Sequence, residues 1–390
     1  MQHTRPHVAI SAHLWHGAAG YRSAGIHTYI ARLLPRLPEV DPTFRYTIYT
    51  NAPTALDARV RSTCWPTVRP LVRIAWEQLA QPFALRRDRP DLLHATAFVT
   101  PIISRFPAVI TVYDLSFALF PELFRGPNQT YLRTFTRLSV KRACRVIAIS
   151  DHTRHDVNRL YGVPLDRIDV AYPGVDVRFQ PMPHDAVEAF RRKHNLPDRF
   201  FLYLGTLEPR KNLSRLIDAF AWLTAAHPKA RLQLILVGGK GWMYEELFAK
   251  VRSLGLEERV RFAGFAPDED LPLWYSAATA LVYPSTYEGF GMPPLEAMAC
   301  GTPVVASNAA SLPEVVGDAA LTIEPEDVSG LAGAMQRVWD DAALRVELSR
   351  RGIDQAKRFT WEATAQATVA SYRHALHLPT PTPPYGGSFY

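Results

Sequence analysis

The 390-residue sequence predicts an α/β protein of two doubly wound parallel-sheet domains of similar size. Short β-branched runs alternate with longer segments of helical apolar spacing, the rhythm of repeated strand–helix units with helices on both sheet faces. The length fits two domains at about 100–200 residues each. A stretch broken by prolines and a glycine, YPGVDVRFQPMP at 172–183, interrupts the rhythm midway, and the alternation then restarts.

His7–Ser11 (HVAIS) reads as a buried strand, and after a glycine-bearing loop Ile26, Tyr29, Ile30, Leu33, Leu34 and Leu37 fall on one helical face. Further strands are expected at 46–49, 92–94, 109–112 and 146–149. Past the crossing, 200–205 is a strand, 213–223 a helix with Leu213, Leu216, Ile217, Phe220 and Leu223 inward, and 232–237 another strand. Strands at 260–262, 280–283 and 304–306 continue the second sheet. The expected domains are 1–180 and 181–359, with a terminal helix near 360–378 packing back on the first and a Pro/Gly-rich flexible tail at 379–390.

At 47% hydrophobic and 21% charged residues, wholesale disorder is excluded. Cys64, Cys144 and Cys300 lie far apart with no C-x-x-C pair, against a disulfide framework or a cysteine zinc site. With no signal-peptide core and no apolar run of the roughly 18 residues that span a bilayer, the expected location is cytoplasmic, with any membrane contact peripheral. The formal charge is +7, but it is unevenly spread: residues 1–180 hold 23 Lys+Arg against 13 Asp+Glu, and 181–390 hold 21 against 24. Arg133, Arg137, Lys141 and Arg145 recur every four residues, one face if helical. A solvated face is the default reading; the sharper one is contact with an anionic membrane surface or a lipid-diphosphate acceptor. Nucleic acid is not an expected partner, because the basic residues are dispersed and no reader motif is present.

The stretch with most chemistry is Tyr287–Gly301, YEGFGMPPLEAMACG. It follows the apolar run ALVYP; Pro293 and Pro294 mark a helix start and Gly301 its C-terminal cap. Glu288 falls in the loop at the strand's carboxyl end and Glu296, eight residues on, in the first helical turn. Ligands of open α/β sheets bind at that edge, where glycines expose backbone N–H groups and carboxylates can hold sugar or ribose hydroxyls. The bland alternative is a dipole-complementing Glu296 and an ordinary loop charge at Glu288.

The pattern E-G-F-G-x-P-x-L-E at 288–296 resembles the E-x7-E signature of the retaining glycosyltransferases of family four (glycosyl transferase group 1). FFLYLGTLEPRKN, LILVGGKGW, GFAPDEDLPLWYSAATALVYPS and GTPVVASNAASLPEVVGDAALTIEPED are similar to segments of the same family. The resemblance covers nearly the whole chain, most strongly its second half. It implies the GT-B fold, two Rossmann-like domains facing across a cleft, with the acceptor on the first and the donor nucleotide on the second.

It also implies the roles. Glu288 holds donor-sugar hydroxyls, Glu296 the ribose, and Arg210 and Lys211 the departing pyrophosphate, whose developing charge a guanidinium and an ammonium stabilise. Gly289, Phe290 and Gly291 approach sugar and phosphate, with Gly205, Gly239 and Gly25 as further donor-side positions. By sequence alone R-K-N before a helix reads first as a solvated cap, with Asn212 or Ser214 as N-cap. In ITVYDLSFALFPE the family usually has His before Asp; here Tyr113 precedes Asp114, and a phenol lacks an imidazole's proton affinity at neutral pH. Ser150, Arg154 and His94 are the acceptor-side candidates, although a strand-end histidine is more often structural.

The D-L-S-F-x-x-F-P-E stretch is most similar to mannosyltransferases of polysaccharide and O-antigen assembly. It implies a GDP-mannose donor with a UDP-sugar second, a glycan or lipid-linked acceptor, and no cofactor or metal. The rivals are a catalytically silent nucleotide-sugar-binding subunit and another two-Rossmann enzyme such as a sugar-nucleotide epimerase. The first loop lacks G-x-G-x-x-G, against nicotinamide dinucleotide binding.

Overall fold

The computed structural model describes residues 5–15, 24–52, 56–67, 69–121, 127–239 and 244–379. Gly17 and Gly20 of the first loop, and the expected tail from 380, lie outside them. The chain divides into two units, Met1–Tyr172 with Trp361–Tyr390, and Pro173–Thr360. The division falls after Tyr172, where Pro173 and Gly174 interrupt the strand–helix rhythm, rather than at 180.

In the first unit seven parallel strands, β1 (His7–Ser11), β2 (Arg45–Tyr49), β3 (Arg59–Arg61), β4 (Leu92–Ala95), β5 (Ala108–Val112), β6 (Arg145–Ala148) and β7 (Ile168–Val170), run in the order β3-β2-β1-β4-β5-β6-β7. The chain leaves β1 toward β2 and returns beyond it to β4, so the topological switch lies between β1 and β4. In the second unit β8 (Phe201–Leu204), β9 (Leu234–Val237), β10 (Val260–Gly264), β11 (Ala280–Tyr283), β12 (Val304–Ser307) and β13 (Leu321–Ile323) run β10-β9-β8-β11-β12-β13, with the switch between β8 and β11. The inner strands are buried Val/Ile/Leu runs, as helices on both sheet faces demand.

The helix drawn from Ile26 to Leu37 is two: Ala24–Leu33 and Arg36–Val40, divided at Pro35, which cannot donate a helical hydrogen bond. Arg145 does not extend the basic face of the helix Pro127–Arg142; it opens β6, and its guanidinium pairs with Asp169. The helix Trp361–Ala375 belongs to the first unit, where Arg373 binds one oxygen of Asp41 at 2.6 and 2.8 Å and Thr364 donates to the Tyr172 carbonyl at 2.6 Å. Among the described residues no helix is long and apolar enough to cross a membrane.

Candidate active site

The donor-side candidates converge at the switch point of the second sheet. Beyond β8 the backbone turns at Gly205 (φ 150°), and a Cβ on Gly238, which follows β9, would lie 1.9 Å from the Gly205 carbonyl oxygen. Only glycine permits that approach. The chain then forms a 3-10 turn, Pro209–Lys211, and Asn212 (φ 60°) starts the helix Leu213–Ala226. Asn212 does not cap that helix with its side chain; its amide donates to the carbonyls of Pro284 (3.1 Å) and Pro325 (2.7 Å). Thr286 binds back to the Arg210 carbonyl through both its N–H (3.0 Å) and its hydroxyl (3.1 Å), stitching the loop after β8 to the loop after β11.

Across that seam Lys211 Nζ donates to Glu288 Oε1 at 2.6 Å and Arg210 donates to Glu288 Oε2 at 3.0 Å and to the Tyr287 carbonyl at 2.6 Å. Tyr283 (3.0 Å) and Ser285 add hydroxyl donors to Oε1. Lys211 and Glu288 are 8% and 7% exposed, which rules out a solvated cap at R-K-N. Burial pushes the Glu288 carboxyl up, but Lys211 and Arg210 outweigh it and hold it down at about 2. Arg210 also lies 3.8 Å from Glu208.

Gly291 has φ 124°, and a Cβ there would meet Leu312 Cδ2 at 2.7 Å. It opens the helix Met292–Ala299, which Gly301 (φ 74°) closes. The Ser311 hydroxyl ties the carbonyls of Glu288 (2.9 Å) and Phe290 (2.7 Å), fixing the loop between the two glutamates. Phe290 is buried and packs edge-on to Phe359. Gly239 accepts from the Leu207 N–H at 3.1 Å. Glu296 stands past the first helical turn, not in it, and accepts from Tyr275 Oη at 2.8 Å. Burial pushes it up to about 7, against the Tyr275 hydrogen bond.

The first-unit candidates are placed differently. Tyr113, which follows β5, is buried, and its hydroxyl donates to the Thr96 carbonyl at 2.7 Å; burial raises its pKa well above the usual phenol range. It is a core residue rather than a catalytic one. Asp114 accepts from the Ser116 N–H (2.9 Å) and hydroxyl (2.7 Å), an Asx turn opening the short helix Ser116–Leu119. His94 is fully buried, with Nδ1 2.6 Å from the Tyr372 hydroxyl and Nε2 2.8 Å from that of Thr111. Both ring nitrogens are engaged in the core, and burial drops the pKa to about 3, so the acceptor-side reading of His94 gives way to the structural one.

Ser150 caps the helix Asp151–Tyr161 by accepting from Thr153 N–H at 3.1 Å, and Arg154 reaches Asp151 (3.3 Å) and the Leu165 carbonyl (3.2 Å). Gly25 does not precede the helix; it lies inside Ala24–Leu33, exposed, with open space at its Cβ. Sequence reasoning missed Tyr283, Ser285 and Gly238. A tyrosine in an aliphatic buried strand is the signal for the first, because its hydroxyl needs a partner.

Residues 186–357 match the family described as "Glycosyl transferases group 1", and residues 18–179 match "Glycosyltransferase Family 4". An Escherichia coli protein named O-antigen chain mannosyltransferase B is 37% identical over 295 residues, 75% of this chain and 77% of that one. The chain belongs to the family 4, group 1 glycosyltransferases. The serotype-specific mannosyltransferase WbdA of Escherichia coli is 29% identical over 77% of this chain, which spans only 38% of WbdA. Anabaena HepE, solved in complex with UDP-glucose, shares the fold with a TM-score of 0.72 at 23% identity, over 94% of this chain and 99% of that one. The glycosyltransferase adopts the GT-B fold that its sequence motifs imply.

Proposed function

We propose that the enzyme is a retaining, metal-independent mannosyltransferase of polysaccharide assembly, moving mannose from GDP-mannose, with a UDP-sugar as second choice of donor, to a glycan or lipid-linked acceptor. The observation that carries it is the Arg210–Lys211–Glu288 cluster at the carboxyl edge of β8 and β11. Cleavage of the sugar–phosphate bond leaves negative charge on the pyrophosphate, and Arg210 and Lys211 are fixed beforehand where they can meet it, the task a divalent cation would otherwise perform. The similarity to O-antigen chain mannosyltransferase B favours mannose.

Glu288 is better suited to holding those cations than to bonding the sugar. Oε1 accepts three hydrogen bonds and Oε2 one, so the acceptor capacity left for a donor-sugar hydroxyl is on Oε2. A carboxylate held near 2 by two cations is a weak nucleophile and a weak base. This favours front-face attack by the acceptor hydroxyl, with the leaving phosphate taking its proton. Glu296 stands ready for the ribose. A nucleotide-sugar-binding subunit without turnover is the second reading, favoured by Tyr113, which the core uses.

Melting temperature in the presence of GDP-, UDP- and ADP-sugars identifies the nucleotide, because a ligand of the native state raises it. GDP-mannose is expected to give the largest rise, and Arg210→Ala to cut transfer about 10²–10³-fold. Near-normal turnover in that variant removes the site assignment; stabilisation without any transfer establishes the silent subunit.

A further inference from the structure

The carboxyl edge of the first sheet carries a polar crevice that none of the sequence candidates lines. It lies at the switch point between β1 and β4, where Ser11, His13, Glu77 and Thr96 border a space of about 10 Å³, room for one hydroxyl or water oxygen. His13 is 3% exposed, neither ring nitrogen has a hydrogen-bond partner among the described residues, and its ring meets Trp76 edge-on at 3.9 Å. Leaving such atoms unpaired costs about 1–3 kcal/mol each, a cost a ligand would relieve.

Glu77 reaches the crevice from Trp76–Ala80, a single π-helical turn between the helices Pro70–Ala75 and Gln81–Asp88; such turns insert one residue and recur at functional sites. Among the described residues its carboxylate has long polar contacts, Arg73 at 3.5 Å and the Tyr131 hydroxyl at 3.3 Å. Gln78 braces the same wall, donating to the Thr100 carbonyl at 3.2 Å and accepting from the Ile102 N–H at 3.0 Å. Burial keeps the imidazole neutral, with a pKa near 3, and lifts Glu77 to about 7.

We propose that this crevice receives a hydroxyl of the neutral sugar at the acceptor end, held between His13 and Glu77. The inference rests on the glycosyltransferase reading and specifies its acceptor side. A neutral imidazole offers one donor and one acceptor and a carboxylate accepts, which together match a hydroxyl that both gives and takes hydrogen bonds. A phosphate only accepts, and its charge would face Glu77. The crevice therefore selects a sugar hydroxyl over the diphosphate of a lipid carrier.

The test compares initial rates of transfer from GDP-mannose to the octyl glycoside of a mannose disaccharide for the wild type, Glu77→Gln and His13→Phe. The second substitution keeps a ring against Trp76. Each is expected to raise the acceptor KM about tenfold, the loss of one hydrogen bond of about 1.4 kcal/mol, while the donor still raises the melting temperature as in the wild type. An unchanged acceptor KM in both variants, even with a lowered melting temperature, overturns the proposal, as does a wild-type preference for mannosyl phosphate over the neutral glycoside. A wild type that no nucleotide sugar stabilises and that transfers nothing refutes the transferase reading itself, and the crevice's role with it.

Discussion

At Glu288 the residue type, rather than the motif, explains the geometry. A buried lysine needs a counter-charge, and Lys211 has it 2.6 Å away. Glu288→Ala is expected to cost about 3–5 kcal/mol as well as transfer, because it strands Lys211 and Arg210; a denaturant midpoint equal to that of the wild type would show that the ion pair contributes nothing. Glu296 makes the opposite case. Its folded pKa of about 7 exceeds the ordinary 4.5, so between those values the native state binds the proton that the unfolded chain has released. Stability from this group falls as pH rises from about 4.5 to 7, and the charged form, the better acceptor for ribose hydroxyls in the proposed role, accumulates above 7. Glu296→Gln should therefore lose less melting temperature than the wild type between pH 5 and pH 8, and wild-type donor affinity should rise over the upper part of that range. Calorimetric titration with the donor at both pH values checks the second expectation; a flat affinity would remove Glu296 from the ribose.

At the level of elements, two glycines of the same predicted role part company. Gly291 needs its positive φ and its missing Cβ, so Gly291→Ala should lower both melting temperature and transfer, the added carbon meeting Leu312. Gly25 sits in an exposed helical turn with open space around it, and Gly25→Ala should raise stability by about 0.5–1 kcal/mol. Loss of transfer in that variant would instead place Gly25 at the donor. This contrast marks how far the sequence could be read. The inner strands, the helix Leu213–Ala226 and the Glu288–Gly301 turn and helix were legible, because buried aliphatic runs, helical periodicity and Pro/Gly punctuation are local signals. The edge strands Arg59–Arg61, Ile168–Val170 and Leu321–Ile323 were not: three residues with polar members carry too little pattern. The core roles of His94 and Tyr113 and the burial of His13 and Glu77 were not legible, because burial and long-range partners decide what a polar side chain does, and neither is encoded nearby.

For the whole molecule, the charge imbalance becomes specific once exposure is known. Its basic half also carries exposed apolar side chains: Leu71, Leu79 and Phe83, all on the Pro70–Asp88 helical segment, are 69%, 61% and 66% exposed. Arg69, Arg86 and Arg87 are exposed beside them, and Arg133, Arg137 and Lys141 on the helix Pro127–Arg142 are exposed as well. Apolar side chains flanked by arginines match the headgroup boundary of an anionic bilayer, where each basic residue contributes about 1 kcal/mol. Such contact would bring the enzyme to a lipid-linked glycan while leaving the His13–Glu77 crevice to the sugar. Co-sedimentation with phosphatidylglycerol-containing vesicles should therefore be strong at low salt and weaken as salt shortens the reach of the charges, about 10 Å at 0.1 M. Leu79→Ser with Phe83→Ser should weaken it at every salt concentration, because the apolar share is not screened. Equal binding to neutral vesicles would leave the arginines without a role, and no binding at any salt would refute the membrane contact.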